Sequence, residues 1–319
     1  MKKKINVGII GRNFGYKVIF KVIKKIKSFN TIAFCFKKSS NLNTYKHIKI
    51  YKNLKKILQD KNINAVVIAS PPNTHFNIIK EAIKKKIHIF CEKPVTKSYK
   101  EITEICRLLE NKKISHLVNF EFPKIAAFKF FKKNILNKVK IKKIIVDWSI
   151  KIPNQKRSSW KNIHSKGGGI FFNYICHSLY YLEYLFGKII IKKTIYKPKK
   201  NPLSLYINFF NSKNNININL NFKILKFYSN NKSIHCIKIL SNKGIYNLIS
   251  KTESLRDEFI LKKNNRIIFK PTKNIDDFRM KPTLENLKIF KKSIIQKKIL
   301  KPNFYDAKKI HAHINQIIS

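Results

Sequence analysis

Gly8-Ile9-Ile10-Gly11-Arg12-Asn13-Phe14-Gly15 lies between a β-branched run, Ile5 to Ile10, and a stretch with apolar residues at helical spacing, Val18, Val22, Ile23 and Ile26. The reading is strand, tight turn, helix. Such a glycine-rich turn lets backbone N–H groups approach a pyrophosphate at the positive end of the helix dipole. Asn13 occupies the second glycine position of a Gly-x-Gly pattern, and asparagine is the non-glycine residue that best tolerates positive φ. On this octapeptide alone, a plain strand-to-helix connection is an equal explanation.

The pattern repeats outward from that turn. Thr31 to Phe36 reads as a second strand and runs into Lys37-Lys38-Ser39-Ser40. Asn64 to Ser70 is a third, stopped by Pro71-Pro72-Asn73-Thr74-His75, where Asn73 or Thr74 can cap a helix reaching Lys86. Ile87 to Cys91 is a fourth, Ser98 caps a helix to about Lys112, and Ser115 to Phe120 is a fifth. Strands that are almost continuously apolar and alternate with helices predict a parallel sheet covered on both faces. The first ~120 residues therefore read as a doubly wound, Rossmann-type α/β unit. In such a unit an acidic residue after the second strand would hold the ribose hydroxyls. Lys37 and Lys38 stand there instead and suit a 2′-phosphate, so the expected cofactor is NAD(P), leaning to NADP.

The fourth strand ends in Phe90-Cys91-Glu92-Lys93-Pro94. Proline stops the hydrogen-bond ladder and keeps the preceding residue extended, which aims Lys93 at the crevice beyond the strand ends. The competing reading is one surface lysine among many. Further on, Gly167-Gly168-Gly169 leads into Ile-Phe-Phe-Asn-Tyr-Ile-Cys-His177. Histidine titrates near the working pH of most enzymes, so His177 is a sensible proton carrier. An ordinary histidine on an amphipathic helix is its alternative, since Leu179, Leu182, Leu185 and Phe186 form an apolar side.

Ile125 to Leu136 reads as a connecting helix and Val139 to Ile152 as a strand with one solvated face. From Leu203 to Lys270 the pattern becomes an antiparallel meander. Ile216 to Phe222 alternates strictly, and Phe259 to Lys270 folds back through Asn264-Asn265. Leu284 to Ile295 and Phe304 to Ile318 are helical by spacing. The expected domains are 1–122 and 123–319, the last helix being able to pack back onto the first.

The chain carries 69 Lys plus Arg against 16 Asp plus Glu, a formal net charge of +53. Only six of the 69 are arginine, which argues against selected phosphate or base recognition, and the lysines are spread evenly among abundant Ile and Asn. Mutational bias explains this better than nucleic-acid binding, although the charge should still concentrate anionic ligands. Five cysteines without a Cys-x-x-Cys pair, and nine histidines without a His-x-x-x-His, give no disulfide framework or metal site. A reduced, cytosolic protein is expected. The apolar run Ile5 to Ile10 is too short for a signal peptide, and nowhere do eighteen apolar residues run together, so no membrane span is expected.

The octapeptide at Gly8, Ala69-Ser70-Pro71-Pro72-Asn73-Thr74-His75, Cys91-Glu92-Lys93-Pro94 and the Gly167 to His177 stretch, in that order, resemble the Gfo/Idh/MocA family across essentially the whole chain. The resemblance implies an N-terminal Rossmann domain and a C-terminal α+β domain with an open, mostly antiparallel sheet. It implies hydride transfer between NAD(P) and a hydroxyl or keto carbon of a sugar or cyclitol, and dimerisation through the second sheet. It makes Lys93 and His177 catalytic and Asn173 a substrate contact where many members have aspartate. It assigns Gly8, Gly11, Asn13, Phe14, Gly15, Ser70, Pro71, Asn73, His75, Glu92 and Lys93 to the cofactor, beside Lys37 and Lys38. Trp160 and Lys161, just before the glycine motif, are candidate pocket walls, with core packing the commoner role for a tryptophan. Asn173 cannot take a proton, and Asn13 departs from the glycine pattern. A fold retained without its chemistry is thus the second reading, and a basic nucleic-acid binder the third.

Overall fold

The computed structural model describes residues 4–36, 47–151, 166–197, 203–225, 231–251, 258–272 and 277–319. The chain forms two compact units. The first holds residues 1–120, 165–168 and 283–312, and the second holds 121–164, 169–282 and 313–319.

The first unit is a six-stranded, wholly parallel sheet: β1 (Ile5–Ile10), β2 (Phe29–Cys35), β3 (Lys49–Tyr51), β4 (Ala65–Ile68), β5 (His88–Cys91) and β6 (His116–Val118), in the order β3-β2-β1-β4-β5-β6. A π-helical segment, Gly15–Phe20, runs into α1 (Lys21–Ile23); α2 (Leu54–Gln59), α3 (His75–Lys84) and α4 (Tyr99–Leu109) supply the other crossovers. Every residue of β4 is fully buried, as a strand covered on both faces requires. Strand order reverses at β1, whose neighbours are β2 and β4, and ligands bind outside the carboxyl ends at such a reversal.

Gly11 sets the turn after β1. Its φ is +116°, and a Cβ there would collide with the Ala69 carbonyl. Asn13 needs no positive φ: it is exposed and already helical, so its substitution for glycine leaves the turn intact. Gly15 lets the helix press on β1 and β4, where an added Cβ would lie 3.2 Å from Ile9 and 3.3 Å from Ala69. Ser98 caps α4 as expected, its Oγ accepting from the Glu101 N–H at 3.2 Å.

The chain returns to this unit at Thr283. Here α7 (Met280–Gln296) buries Leu287 and Phe290, the latter ring 5.7 Å from Phe90 and 6.2 Å from Phe29. Burying one such phenylalanine is worth about 2 kcal/mol. The final helix, α8 (Phe304–Ile318), starts at Asn303, whose Oδ1 accepts from the backbone N–H of Tyr305 and Asp306.

In the second unit α5 (Ala126–Asn134) leads to β7 (Ile141–Lys151). A second π-helical segment, Phe171–Ile175, continues as α6 (Cys176–Phe186). Then follow β8 (Ile190–Lys197), β9 (Ser204–Asn211), β10 (Ile216–Leu225), β11 (Ile234–Ser241), β12 (Gly244–Ser250), β13 (Ile260–Lys263) and β14 (Arg266–Phe269). The sheet order is β14-β13-β12-β11-β7-β10-β9-β8, antiparallel throughout except for β7 with β10. A parallel pair needs a long crossover, and α6, β8 and β9 provide it. Ile216, Ile218, Leu220 and Phe222 are buried on one face, while Asn217, Asn219 and Asn221 alternate onto the other. The Asn264-Asn265 turn has positive φ at both residues, 46° and 69°, as a two-residue hairpin demands.

Gly11→Ala should lower the unfolding free energy by about 3 kcal/mol or more, since positive φ and a backbone collision act together. Gly8→Ala should cost less, because its Cβ would meet only the methyl ends of Ile63 and Ile57 at 3.0 and 3.1 Å. Urea unfolding of the two variants side by side checks the order.

Candidate active site

The carboxyl ends of the first unit's strands are locked in step by backbone bonds that continue the sheet beyond its strands. The Gly11 N–H donates to the Cys35 carbonyl at 3.2 Å, Ala69 to Ile10 at 2.8 Å, Glu92 to Ile68 at 2.8 Å and Asn119 to Cys91 at 2.9 Å. The Gly11 turn, the Ser70 loop and the Glu92-Lys93-Pro94 turn therefore follow three adjacent strands along one edge.

Within this edge Phe14 and Ser70 are half-buried, and Arg12, Asn13, Pro71 and Asn73 are exposed. Thr74 turns its hydroxyl back to the Pro71 carbonyl at 2.8 Å and lies 2.7 Å from Ser70 Oγ. Gly167 belongs to the first unit and has φ +79°; a Cβ on it would approach Pro72 to 2.7 Å. One of the three glycines thus serves close packing against the proline loop.

His75 is completely buried, with Nε2 2.8 Å from the Ser70 carbonyl and Nδ1 3.1 Å from the Pro94 carbonyl. Burial pushes its pKa below the usual histidine value. Its ring joins the loop after β4 to the turn after β5 and does not face solvent. Its part in any cofactor site is therefore to hold those loops. The Lys93–Pro94 bond is cis, and the Lys93 side chain is half-buried.

Glu92 is held by an amide network. Its Oε1 accepts from Asn119 Nδ2 at 2.6 Å, and Asn119 is joined to Thr283 and Asn286 of α7. The resemblance assigns no role to Asn119, Thr283 or Asn286. The one signal available was the Asn119-Phe120-Glu121-Phe122-Pro123 stretch directly after a strand.

In the second unit Asn173 lies in the π-helical segment and His177 one turn later at the start of α6, placing both on one side of a continuous helix. Asn173 is half-buried and His177 is 7% exposed. The His177 ring packs 4.8 Å from Phe122. Phe122 also meets Trp148, Tyr181, His235 and Phe259 at 5.5–5.9 Å. His235 lies flat on Trp148 at 4.0 Å, its cross-strand partner, and its Nε2 is 3.0 Å from the Tyr181 hydroxyl. Tyr174, His177 and Tyr181 form the helix stripe that meets these aromatics. His177 is thus set in an aromatic wall, while Leu179, Leu182, Leu185 and Phe186 are buried as well.

Lys37, Lys38, Trp160 and Lys161 lie outside the described residues. Among the described residues no group of three or more His, Cys, Asp or Glu side chains gathers as a metal site. Nor, among them, is any helix long and apolar enough to cross a membrane.

A parallel sheet in this strand order, with a glycine turn at its reversal and a second unit built on an open mixed sheet, defines a dinucleotide-binding oxidoreductase architecture. Profile matches agree: residues 5–120 match the oxidoreductase family's NAD-binding Rossmann fold and residues 132–262 its C-terminal alpha/beta domain. The chain belongs to the Gfo/Idh/MocA oxidoreductase family. It is 30% identical over 198 residues to an uncharacterized oxidoreductase of Synechocystis, covering 57% of this chain and 52% of that one. It is 25% identical over 147 residues to a myo-inositol 2-dehydrogenase of Thermotoga maritima, covering 44% and 41%. These matches span about half or less of the relatives' length. Among solved structures, levoglucosan dehydrogenase in complex with NADH and levoglucosan superposes with a TM-score of 0.80 at 16% identity, covering 99% of this chain and 96% of that one. A 3-ketoreductase from Actinomadura kijaniata in complex with NADP gives 0.79 at 11% identity, covering 99% and 97%. At those identities the likeness is one of fold.

Burial pushes the pKa of His235 down to about 3, so the folded protein refuses a proton that the unfolded chain takes up below about pH 6.5. Its stabilising contribution is complete above that value and is lost as pH falls towards 3, by about 1.4 kcal/mol per pH unit. Between pH 7 and pH 5 the stability gap between wild type and His235→Phe should therefore narrow by about 2 kcal/mol, read from urea unfolding followed by tryptophan fluorescence.

Proposed function

We propose that the protein is an NAD(P)-dependent dehydrogenase or reductase that moves a hydride to or from a hydroxyl or keto carbon of a sugar, sugar derivative or cyclitol. The observation that carries this is Lys93, held half-buried at the carboxyl end of β5, on the same sheet edge as the Gly11 turn. The turn fits a dinucleotide. Gly11 and Gly15 seat it closely against Ile9 and Ala69, and Arg12 and Asn13 are exposed at the start of the helix.

Gly11, Asn13, Phe14 and Gly15 would hold the pyrophosphate half, and Ser70, Pro71, Asn73, Glu92 and Lys93 the nicotinamide half; Gly8, buried within β1 against Ile57 and Ile63, packs the strand instead. The bound nicotinamide ring supplies the hydride acceptor or donor. The chain's own part is to move the accompanying proton and to steady charge on the substrate oxygen. Lys93 presents an ammonium that polarises that oxygen and favours an alkoxide-like transition state. His177 takes or returns the proton, and the Asn173 amide binds a neighbouring hydroxyl. Trp160 and Lys161 are assigned to the pocket wall. Lys37 and Lys38 are assigned to a 2′-phosphate, which makes NADP the preferred cofactor. The lysine excess favours an anionic substrate, and the solvated face of the second sheet is assigned to contact with a second copy. Free buried thiols at Cys35, Cys91, Cys106 and Cys176 suit a reducing cytosol.

The relatives support this choice through what they are named for: inositol dehydrogenation, levoglucosan dehydrogenation with NADH and 3-ketoreduction with NADP. A retained fold without catalysis is the second reading, favoured by Asn173 in place of an acid.

Fluorescence titration with NADPH and NADH at low and moderate salt should show saturable binding that survives moderate salt, NADPH being the tighter. With a turnover assay over sugars and cyclitols, Lys93→Ala and His177→Ala should each lower kcat by roughly a hundredfold or more. Full activity in either variant removes that residue from the mechanism. Absence of binding by either nucleotide, in folded protein, moves the protein to the second reading.

A further inference from the structure

Asn119 follows β6 with no exposed surface, and its amide group is hydrogen-bonded through both its nitrogen and its oxygen. Nδ2 donates to Glu92 Oε1 at 2.6 Å and to Thr283 Oγ1 at 3.2 Å, while Oδ1 accepts from Asn286 Nδ2 at 3.0 Å. Its backbone N–H donates to the Cys91 carbonyl at 2.9 Å, so main chain and side chain grip the same turn. Asn286 Nδ2 donates in addition to the Phe120 carbonyl at 3.2 Å. Thr283 and Asn286 are likewise wholly buried and sit three residues apart on one face of α7. The amide cannot be turned over, because its oxygen would then face a carboxylate at hydrogen-bond distance.

We infer that Asn119, braced by Thr283 and Asn286, is the positioning residue of the Glu92-Lys93-Pro94 turn: α7 serves as the anvil against which the turn is set. A neutral amide suits that task. It makes a charge-assisted bond to Glu92 without neutralising it, as a lysine or arginine would. The consequence for cofactor and substrate rests on the dehydrogenase reading above; the tether itself does not.

The test measures amide hydrogen exchange by mass spectrometry in the segment 91–97, relative to wild type at each pH. Thr283→Val, nearly isosteric, and Asn286→Ala should speed exchange there about tenfold while leaving β1 unchanged. Asn119→Asp would set two carboxylates at hydrogen-bond distance, which repel while both are ionised and share one proton once the pH falls. Its segment 91–97 should exchange fast at pH 8 and return towards the wild-type rate at pH 5, where the new carboxyl group, once protonated, can again donate. A residue that merely fills space would loosen the segment equally at both pH values, and that result overturns the inference. So does unchanged exchange in Thr283→Val and Asn286→Ala, which decides the matter even if Asn119→Asp fails to fold. NADPH titration of the same samples separates the two claims. Wild-type protein that binds neither NADPH nor NADH sinks the dehydrogenase reading, and the exchange pattern still decides the tether.

Discussion

The first unit depends on how closely the backbone after β1 approaches the backbone after β4. Gly11 lies against the Ala69 carbonyl with no room for a methyl group, and from that seam the bonds Ala69 to Ile10, Glu92 to Ile68 and Asn119 to Cys91 step outward across the sheet. Each bond sets the level at which the next loop leaves. A displacement at the glycine turn would therefore be inherited by the proline loop and then by the Lys93 turn. His75 ties those two loops a second time through its ring, so the edge is fixed by main chain and side chain together. This redundancy fixes the backbone from which the Lys93 side chain departs.

Charge is handled in an unusual way for so basic a chain. The wholly buried polar positions that organise the first unit are neutral: His75, Asn119, Thr283 and Asn286. On the second sheet Asn208 donates to Asn219 and Asn221 to Asp147, each at 2.8 Å, so asparagine takes cross-strand places that ion pairs often hold. A compositional drift towards Lys and Asn has different consequences in the two settings. Lysine is tolerated where its ammonium reaches water, whereas asparagine can enter the interior wherever its amide can be satisfied. Among the described residues no lysine or arginine is fully buried, and the neutral network around Glu92 lies away from that charge.

Legibility followed the range of the interactions involved. β1, β5 and α8 were readable because period and punctuation are local: an apolar run, a following glycine or proline, and apolar residues at helical spacing. The Asn264-Asn265 hairpin was readable for the same reason. β3 has three residues and α2 six, too short for a period to show. The parallel β7–β10 pair was invisible because it depends on where a crossover lands. The Asn119–Asn286 bond spans 167 positions, and nothing in either residue's neighbourhood points to the other. Asn13 misled in a more instructive way. The strained position was sought there by analogy with a glycine pattern, while the structure puts the strain two residues earlier.

The two π-helical segments fall on the two motifs to which the proposed function assigns cofactor binding and proton transfer, one after Gly11 and one before His177. Wide turns of this kind are retained mostly where a helix has to present particular groups. In the second unit the group presented is a histidine whose neighbour four residues earlier is an amide, so no carboxylate at Asn173 can share or relay its proton. The ring packs against Phe122, within a wall that includes Tyr181 and the neutral His235. Under the proposed reaction the proton accompanying the hydride would then pass through a single titrating group. Under that proposal an amide at position 173 would be compatible with turnover, because a hydride step needs only one proton carrier and one cation at the carbinol oxygen.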